Sequence, residues 1–241
     1  MARKGSSSSW IAAAWLFVSP SLGSAYIDGV PVLLEKAAAK RAAFDLDSLV
    51  ALGHRFEGEQ KLEVWEGYRV DMGFRREVRQ DSDVNVTLIH RNRIWSFRAG
   101  QTAQPRRTRP NLFQTFIVHN RRDPSGQVGL LFLQAYGIDP SIVSLHRQDR
   151  RPVYIIGAKP WEPDKPQLWL DKELLVPVRL VHRDDGVKSE TRLYGFDSPI
   201  TGPFYPERIE EWRGEDLIRS TVFDRVDLNP ALDARRFDAP T

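Results

Sequence analysis

The chain has 241 residues, with 35 Lys or Arg against 32 Asp or Glu, and it contains no cysteine. That excludes a disulfide framework, a thiolate nucleophile and a cysteine-ligated metal. The formal charge of +3 falls to about +1 when Arg3 and Lys4 leave with a leader peptide, so the sequence pI of about 9.2 is no argument for nucleic acid.

Such a leader is what the N-terminus predicts. Arg3 and Lys4 precede the apolar run Trp10–Val18 (WIAAAWLFV), and Leu22-Gly23-Ser24-Ala25 places small residues at a cleavage site. The run is far short of the roughly 20 residues a membrane-crossing helix needs. The expected organisation is a signal peptide at 1–25 and a single domain at 26–241. That domain is expected to be exported, soluble, into the periplasm of a Gram-negative-type bacterium.

Val32–Leu52 predicts a helix: it is rich in Ala and Leu, lacks internal Pro or Gly, and Gly53 stands where a C-terminal cap belongs. From Phe56 to Gly100 the pattern turns to short runs of period two. Lys61–Trp65, Tyr68–Phe74, Glu77–Gln80, Val84–His90 and Arg93–Arg98 alternate with turn-like pieces, as in an antiparallel meander. In Val84–His90, Val84, Val86 and Leu88 fall on one face and Asn85, Thr87 and Ile89 on the other.

Gln101–Pro110 breaks the sheet pattern, and its arginines lack the interleaved aromatics that would stack on bases. Asn111–Asn120 and Gly126–Gly137 predict short helices, with Asn111 as a cap for the first and Pro124-Ser125 opening the second. Asp139–Ser144 predicts a further turn. Strands resume at Pro152–Gly157, Gln167–Leu170, Leu174–His182, Lys188–Phe196, Arg208–Arg213 and Leu217–Asp227, separated by turn signals such as Asp184-Asp185-Gly186. One helix, a group of strands, a helical insert at about 110–145 and a second group of strands make an α+β domain on one large antiparallel sheet.

No catalytic signature is present: there is no G-x-S-x-G elbow, Gly-rich phosphate loop or H-E-x-x-H. The five histidines lie far apart in sequence, and Glu210 and Glu211, adjacent on a strand, point to opposite faces. Neither an enzyme nor a metal or cofactor is expected. What the sequence over-supplies is aromatic and aliphatic surface on strands, and an ordinary core accounts for any one of those residues. A single sheet with few helices to cover it, however, would enclose an apolar pocket if the insert Gly129–Tyr136 folded back as a lid.

The C-terminal third carries a family resemblance. It lies in Leu175-Val176-Pro177-Val178-Arg179, the glycine hairpin that follows, and the closing Val226-Asp227-Leu228-Asn229-Pro230-Ala231-Leu232-Asp233 with Phe237 and Pro240. Arg93-Ile94-Trp95-Ser96-Phe97 adds a strand with an aromatic pair. Together these resemble the periplasmic lipoprotein carriers and lipoprotein-sorting proteins of the LolA/LolB type. The resemblance implies a single curved antiparallel sheet forming a half-open β-barrel, closed by a helical lid, that binds acyl chains of lipoproteins or lipids and carries them toward the outer membrane.

It also implies an inner-membrane exporter and an outer-membrane acceptor as partners, and a monomeric carrier. On this reading the sheet residues Trp65, Phe74, Ile89, Trp95, Phe97, Trp169, Leu180, Tyr194 and Phe196 line the cavity, with Leu130, Phe132, Leu133 and Tyr136 from the lid. Arg69 corresponds to the family's lid-holding arginine, one residue late in the motif and followed by Val70 where the family has proline. An envelope sensor of the same half-barrel fold, binding a protein partner or a lipid signal, is the alternative.

Overall fold

The computed structural model describes residues 27–239 apart from 91–92, 119–122, 124 and 204. The expected signal peptide at 1–25 and Pro240 of the closing motif lie outside the described residues. The chain opens with helix α1 (Val30–Ala42) and strands β1 (Ser48–Glu57), β2 (Gln60–Arg69), β3 (Gly73–Gln80), β4 (Asp83–His90), β5 (Arg93–Arg98) and β6 (Arg106–Arg107). A π-helical turn at Gln114–Val118 and helix α2 (Gln127–Ala135) follow. The second run of strands is β7 (Val143–Gln148), β8 (Arg151–Ile156), β9 (Gln167–Asp171), β10 (Pro177–Asp184), β11 (Val187–Tyr194), β12 (Arg208–Arg213) and β13 (Asp216–Leu228), before a 3-10 turn at Ala234–Phe237.

All these strands form one 13-stranded sheet in the order β6-β5-β4-β3-β2-β1-β13-β12-β11-β10-β9-β8-β7. Every neighbouring pair is antiparallel. The two edge strands, β6 and β7, are consecutive in the chain, and the segment joining them carries the π-helical turn and α2. The helical insert therefore runs from one edge of the sheet to the other. One large core joins its Phe116, Ile117, Phe132 and Leu133 and α1's Leu33 and Leu34 to one face of the sheet, hereafter the inner face. That face contributes Leu49, Tyr68, Phe74 and Ile89 from the first half of the sheet and Tyr154, Leu168, Leu180, Leu193, Ile209 and Phe223 from the second.

Two expectations require correction. The predicted helix Val32–Leu52 ends ten residues early, at Ala42, and Ser48 onward is β1. Helix propensity loses here to sheet pairing, because β1 is an interior strand bonded to β2 on one side and β13 on the other. Gly53 is accordingly no helix cap. It is a strand glycine where a Cβ would lie 2.0 Å from the Val222 carbonyl oxygen. The turn expected at Asp139–Ser144 runs directly into the edge strand β7, whose hairpin to β8 puts Asp149 and Arg150 at positive φ, 49° and 70°.

The closing motif is a clasp. Asn229, at φ 53°, accepts from the Asp47 and Ser48 backbone N–H groups at 2.7 and 3.2 Å and donates to the Asp45 carbonyl. One side chain thus sets both the start of β1 and the end of β13. Leu232 and Phe237 then fold against Leu88 and Trp95 on the other, outer face of the sheet. Asn229→Ala, which removes these bonds and strains the left-handed position, is expected to lower stability by about 2 kcal/mol. Denaturant titration will register this as a lower midpoint with an unchanged slope.

Candidate functional site

The helical cover is built from local signals the sequence displays. Asn111 Oδ1 accepts from the Gln114 backbone N–H at 3.0 Å, capping the π-helical turn, and the Gln114 amide donates to the Ile89 carbonyl at 3.3 Å, fastening that turn to β4. Asp123 Oδ2 accepts from the Val128 N–H at 2.5 Å at the start of α2. Close approach of α2 to α1 depends on Gly129, where a Cβ would come within 3.0 Å of Leu34 Cδ2. Phe116 meets Phe132 edge-on with centroids 5.2 Å apart, and Phe132 stacks on Tyr136 at 4.4 Å. Phe113 stacks on Tyr205 at 5.2 Å, and Tyr205 in turn meets Phe223 of β13 edge-on. Aromatic contacts of this kind hold by area and quadrupole alone, without a network that must be broken to slide them.

Between this cover and the inner face lies a cavity of about 10 Å³, walled by Leu49, Glu66, Tyr68, Phe74, Phe113, Ile117 and Tyr205. It has room for about one water and none for a hydrocarbon chain. The cover is seated.

Its far edge is fastened by polar contacts. Arg109, just before the π-helical turn, donates to Asp184 at 2.7 Å and to the Arg183 carbonyl at 3.3 Å, tying the insert to β10 across the sheet. Its guanidinium lies 5.3 Å from the Tyr136 ring centroid, and the Tyr136 hydroxyl donates to the Pro110 carbonyl at 3.1 Å. His182 packs edge-on against Tyr136 at 5.0 Å and places Nε2 2.9 Å from Asp184 Oδ2. Burial raises the Tyr136 pKa to about 12 and lowers that of His182, the latter against the pull of Asp184. At the other helix, Arg41 of α1 is buried and donates to the Pro203 and Leu174 carbonyls at 2.9 and 3.0 Å.

The residues expected to line a cavity divide between the faces. Phe74, Ile89, Leu180 and Phe196 belong to the large core, as do Phe132 and Leu133, with Leu130 and Tyr136 packed against it. Trp65, Trp95 and Phe97 lie on the outer face with Leu88, beneath Leu232 and Phe237. Trp169 sits in a separate cluster with Val153 and Ile155, its ring 4.6 Å from the Arg179 guanidinium. Tyr194 donates to Glu210 at 3.1 Å under Arg208. Strand alternation is the reason: Leu88 is paired with Trp95 and Val86 with Phe97, so these aromatics share a face with the apolar half of β4 that points away from Ile89.

Arg69, the expected lid-holding arginine, ends β2 beside the C-terminal segment. It pairs with Asp71 at 3.0 Å and donates to the Leu232 carbonyl at 3.2 Å. Contacts between insert and sheet are made by Arg109, Gln114 and Tyr136. Sequence reasoning also passed over Phe113, Phe116 and Ile117, although NLFQTFIV places them in a segment already expected to be helical. Among the described residues no group of three or more His, Asp or Glu is arranged to hold a metal ion.

No protein-family model matches the chain, and no curated protein matches it in sequence. Solved structures do match in fold. A LolA superfamily protein from Nitrosomonas europaea is 16% identical with a TM-score of 0.50, over 88% of this chain and 98% of that one. A putative outer membrane lipoprotein-sorting protein domain from Vibrio parahaemolyticus is 8% identical with a TM-score of 0.52, over 85% and 95%. A DUF1329 family protein from Desulfovibrio piger is 12% identical with a TM-score of 0.52, over 88% and 98%. At such identities the likeness is one of fold: a large antiparallel sheet with a few helices, in common with structures of the LolA and lipoprotein-sorting superfamily.

The His182 contact makes the fastening sensitive to acid. Because burial holds its pKa below the ordinary 6.5, an opened or unfolded form takes up the proton first as pH falls. The folded arrangement then loses stability until pH drops below the lowered value. Between pH 7.5 and 5, the stability of the wild type relative to His182→Gln is expected to decline in denaturant titrations. A pH-independent difference would contradict the assignment.

Proposed function

We propose that the chain is a soluble periplasmic carrier that takes acyl chains of a lipoprotein or lipid between its sheet and its helical cover and delivers them toward the outer membrane. The observation that carries this reading is the insert itself. It joins the two sheet edges and covers the inner face through aromatic contacts and few polar ties, over a cavity of about 10 Å³. A guest enters by lifting that cover, and the apolar contacts it then makes replace those the cover gives up. In this reading the sheet is a half-open barrel and the insert its lid.

The energetics suit exchange. Each buried methylene is worth about 0.8 kcal/mol, so a chain of fifteen methylenes gains roughly 12 kcal/mol over water. Part of that is offset by the contacts of Phe116, Phe132 and Tyr136 that must part. The carrier holds its guest about as well as a bilayer does, and can therefore release it. Phe74, Ile89, Leu180 and Phe196 from the sheet, and Leu130, Phe132, Leu133 and Tyr136 from the lid, face the guest, joined by Phe113, Phe116 and Ile117. No cofactor enters. An inner-membrane exporter and an outer-membrane acceptor are the partners a carrier of this kind requires, and one copy of the chain is enough to enclose a guest.

Solvent extraction of protein purified from its native envelope, followed by mass spectrometry, is expected to release acyl species in stoichiometric amount. Absence of any such species, together with failure to bind fluorescent fatty-acid probes, would sink the proposal. Phe132→Asp, which places a charge in the lid contact, is expected to weaken probe binding at least tenfold, whereas Phe97→Ser on the outer face leaves it within twofold. Equal losses in two folded variants would show that the faces are assigned wrongly.

A further inference from the structure

The inner face is not apolar along its whole length. Toward the β1–β2 and β12–β13 hairpins, alternation brings charged side chains to the same side as the core. Arg55 of β1 is paired in register with Leu62 and Thr221, Glu66 of β2 with Arg76 of β3, and Glu211 of β12 with Arg219 of β13. Arg76 donates to Glu66, which also accepts the Tyr205 hydroxyl, and Arg219 Nε lies 3.1 Å from Glu211. Three guanidiniums thus stand around Glu66 and Glu211, and the third, Arg55, pairs with neither of them.

Arg55 is 5% exposed. Its one described ion pair is through Nη1, to Glu57 at 3.5 Å, a carboxylate 42% exposed. Its Nε and Nη2 are buried and have no hydrogen-bond partner among the described residues. Burial, together with the charges of Arg76 and Arg219, pushes its pKa down to about 10. Leaving two guanidinium nitrogens dry and unbonded is costly, and folds remove such groups unless something uses them. The two orphaned nitrogens are the neighbouring pair on one side of the guanidinium plane, the pair that grips two oxygens of one anion side by side. The cluster also adjoins the apolar space, since Glu66 and Tyr205 both wall the cavity beneath the lid.

We propose that Arg55, backed by Arg76 and Arg219, is a site for the acidic head group, carboxylate or phosphate, of an amphiphile whose chain lies under the lid. This rests on the carrier reading and narrows its guest to acidic lipids. Arg55 supplies the two-point contact through Nε and Nη2, while Glu66 and Glu211 hold the other two guanidiniums in place and keep them from competing for the same anion.

The test compares hexadecanoic acid, hexadecyl phosphate and hexadecanol, each displacing a fluorescent acyl probe from the purified chain. The acids are expected to bind at least tenfold more tightly than the alcohol, the gain of a charge-assisted two-point contact. In Arg55→Met that preference falls to within twofold, hexadecanol affinity is retained, and the thermal midpoint is no lower than in the wild type because two buried unbonded nitrogens are gone. Should that variant fail to fold, Arg219→Gln is expected to reduce the acid preference at least threefold.

Equal binding of acids and alcohol by the wild type, or an undiminished preference in the variant, overturns the head-group site and leaves the carrier reading standing. Failure of all three ligands to bind overturns both. Inorganic phosphate that displaces the probe as well as hexadecyl phosphate overturns the lipid assignment.

Discussion

An antiparallel sheet must hide the apolar side chains of at least one face, and this chain has little but short helices with which to do it. Everything else in the structure answers to that constraint. The two edge strands are neighbours in sequence, so the segment between them has to travel from edge to edge, and the inner face is where it travels. Leu49 and Phe74 on one half of the sheet and Leu180 and Ile209 on the other converge on the same few aromatics of the insert. The sheet carries the covalent and hydrogen-bonded order. The cover adds the aromatic packing.

The outer face solves a different problem. There the sheet is dressed with arginines lying on aromatic rings, Arg179 on Trp169, Arg192 on Trp212, Arg208 on Tyr194 and Arg236 on Trp65. Buried Glu190 accepts from both Arg179 and Arg192. Each stack hides apolar ring surface beneath a charged group that keeps its own contact with water, so this face needs no helix over it. The tryptophans that make the sequence look like a wall for an apolar guest are largely spent on this arrangement.

That division marks how far the sequence could be read. The succession of strands and turns, Asn111 as a cap, and the alternation of Val86 and Leu88 against Ile89 were legible, because turn chemistry and period two are local, but bounds were not: the run Tyr68–Phe74 spans the turn between β2 and β3. The extent of α1 was not. Val32–Leu52 is good helix sequence, and only the long-range partners at β2 and β13 make its last residues strand. Nor was the choice of face. Alternation separates two sets of side chains, but the helices that mark one set as inner belong to distant segments, so Trp95 and Trp169 could be ranked only by size and hydrophobicity. Arg55 drew no notice, since its isolation depends on which carboxylates the fold has already assigned to its neighbours.

The two-residue strand β6, paired to β5 among the described residues through Arg93 with Arg107 and Ile94 with Arg106, gives the insert an uneven mounting. At its other end the chain enters β7, which runs alongside β8 through six paired residues. A load that pries the helices from the sheet therefore meets a strong seam on one side and a weak one on the other. Past the short seam at β6, Arg109 on Asp184 and Gln114 on the Ile89 carbonyl take up what the strand pairing leaves unheld.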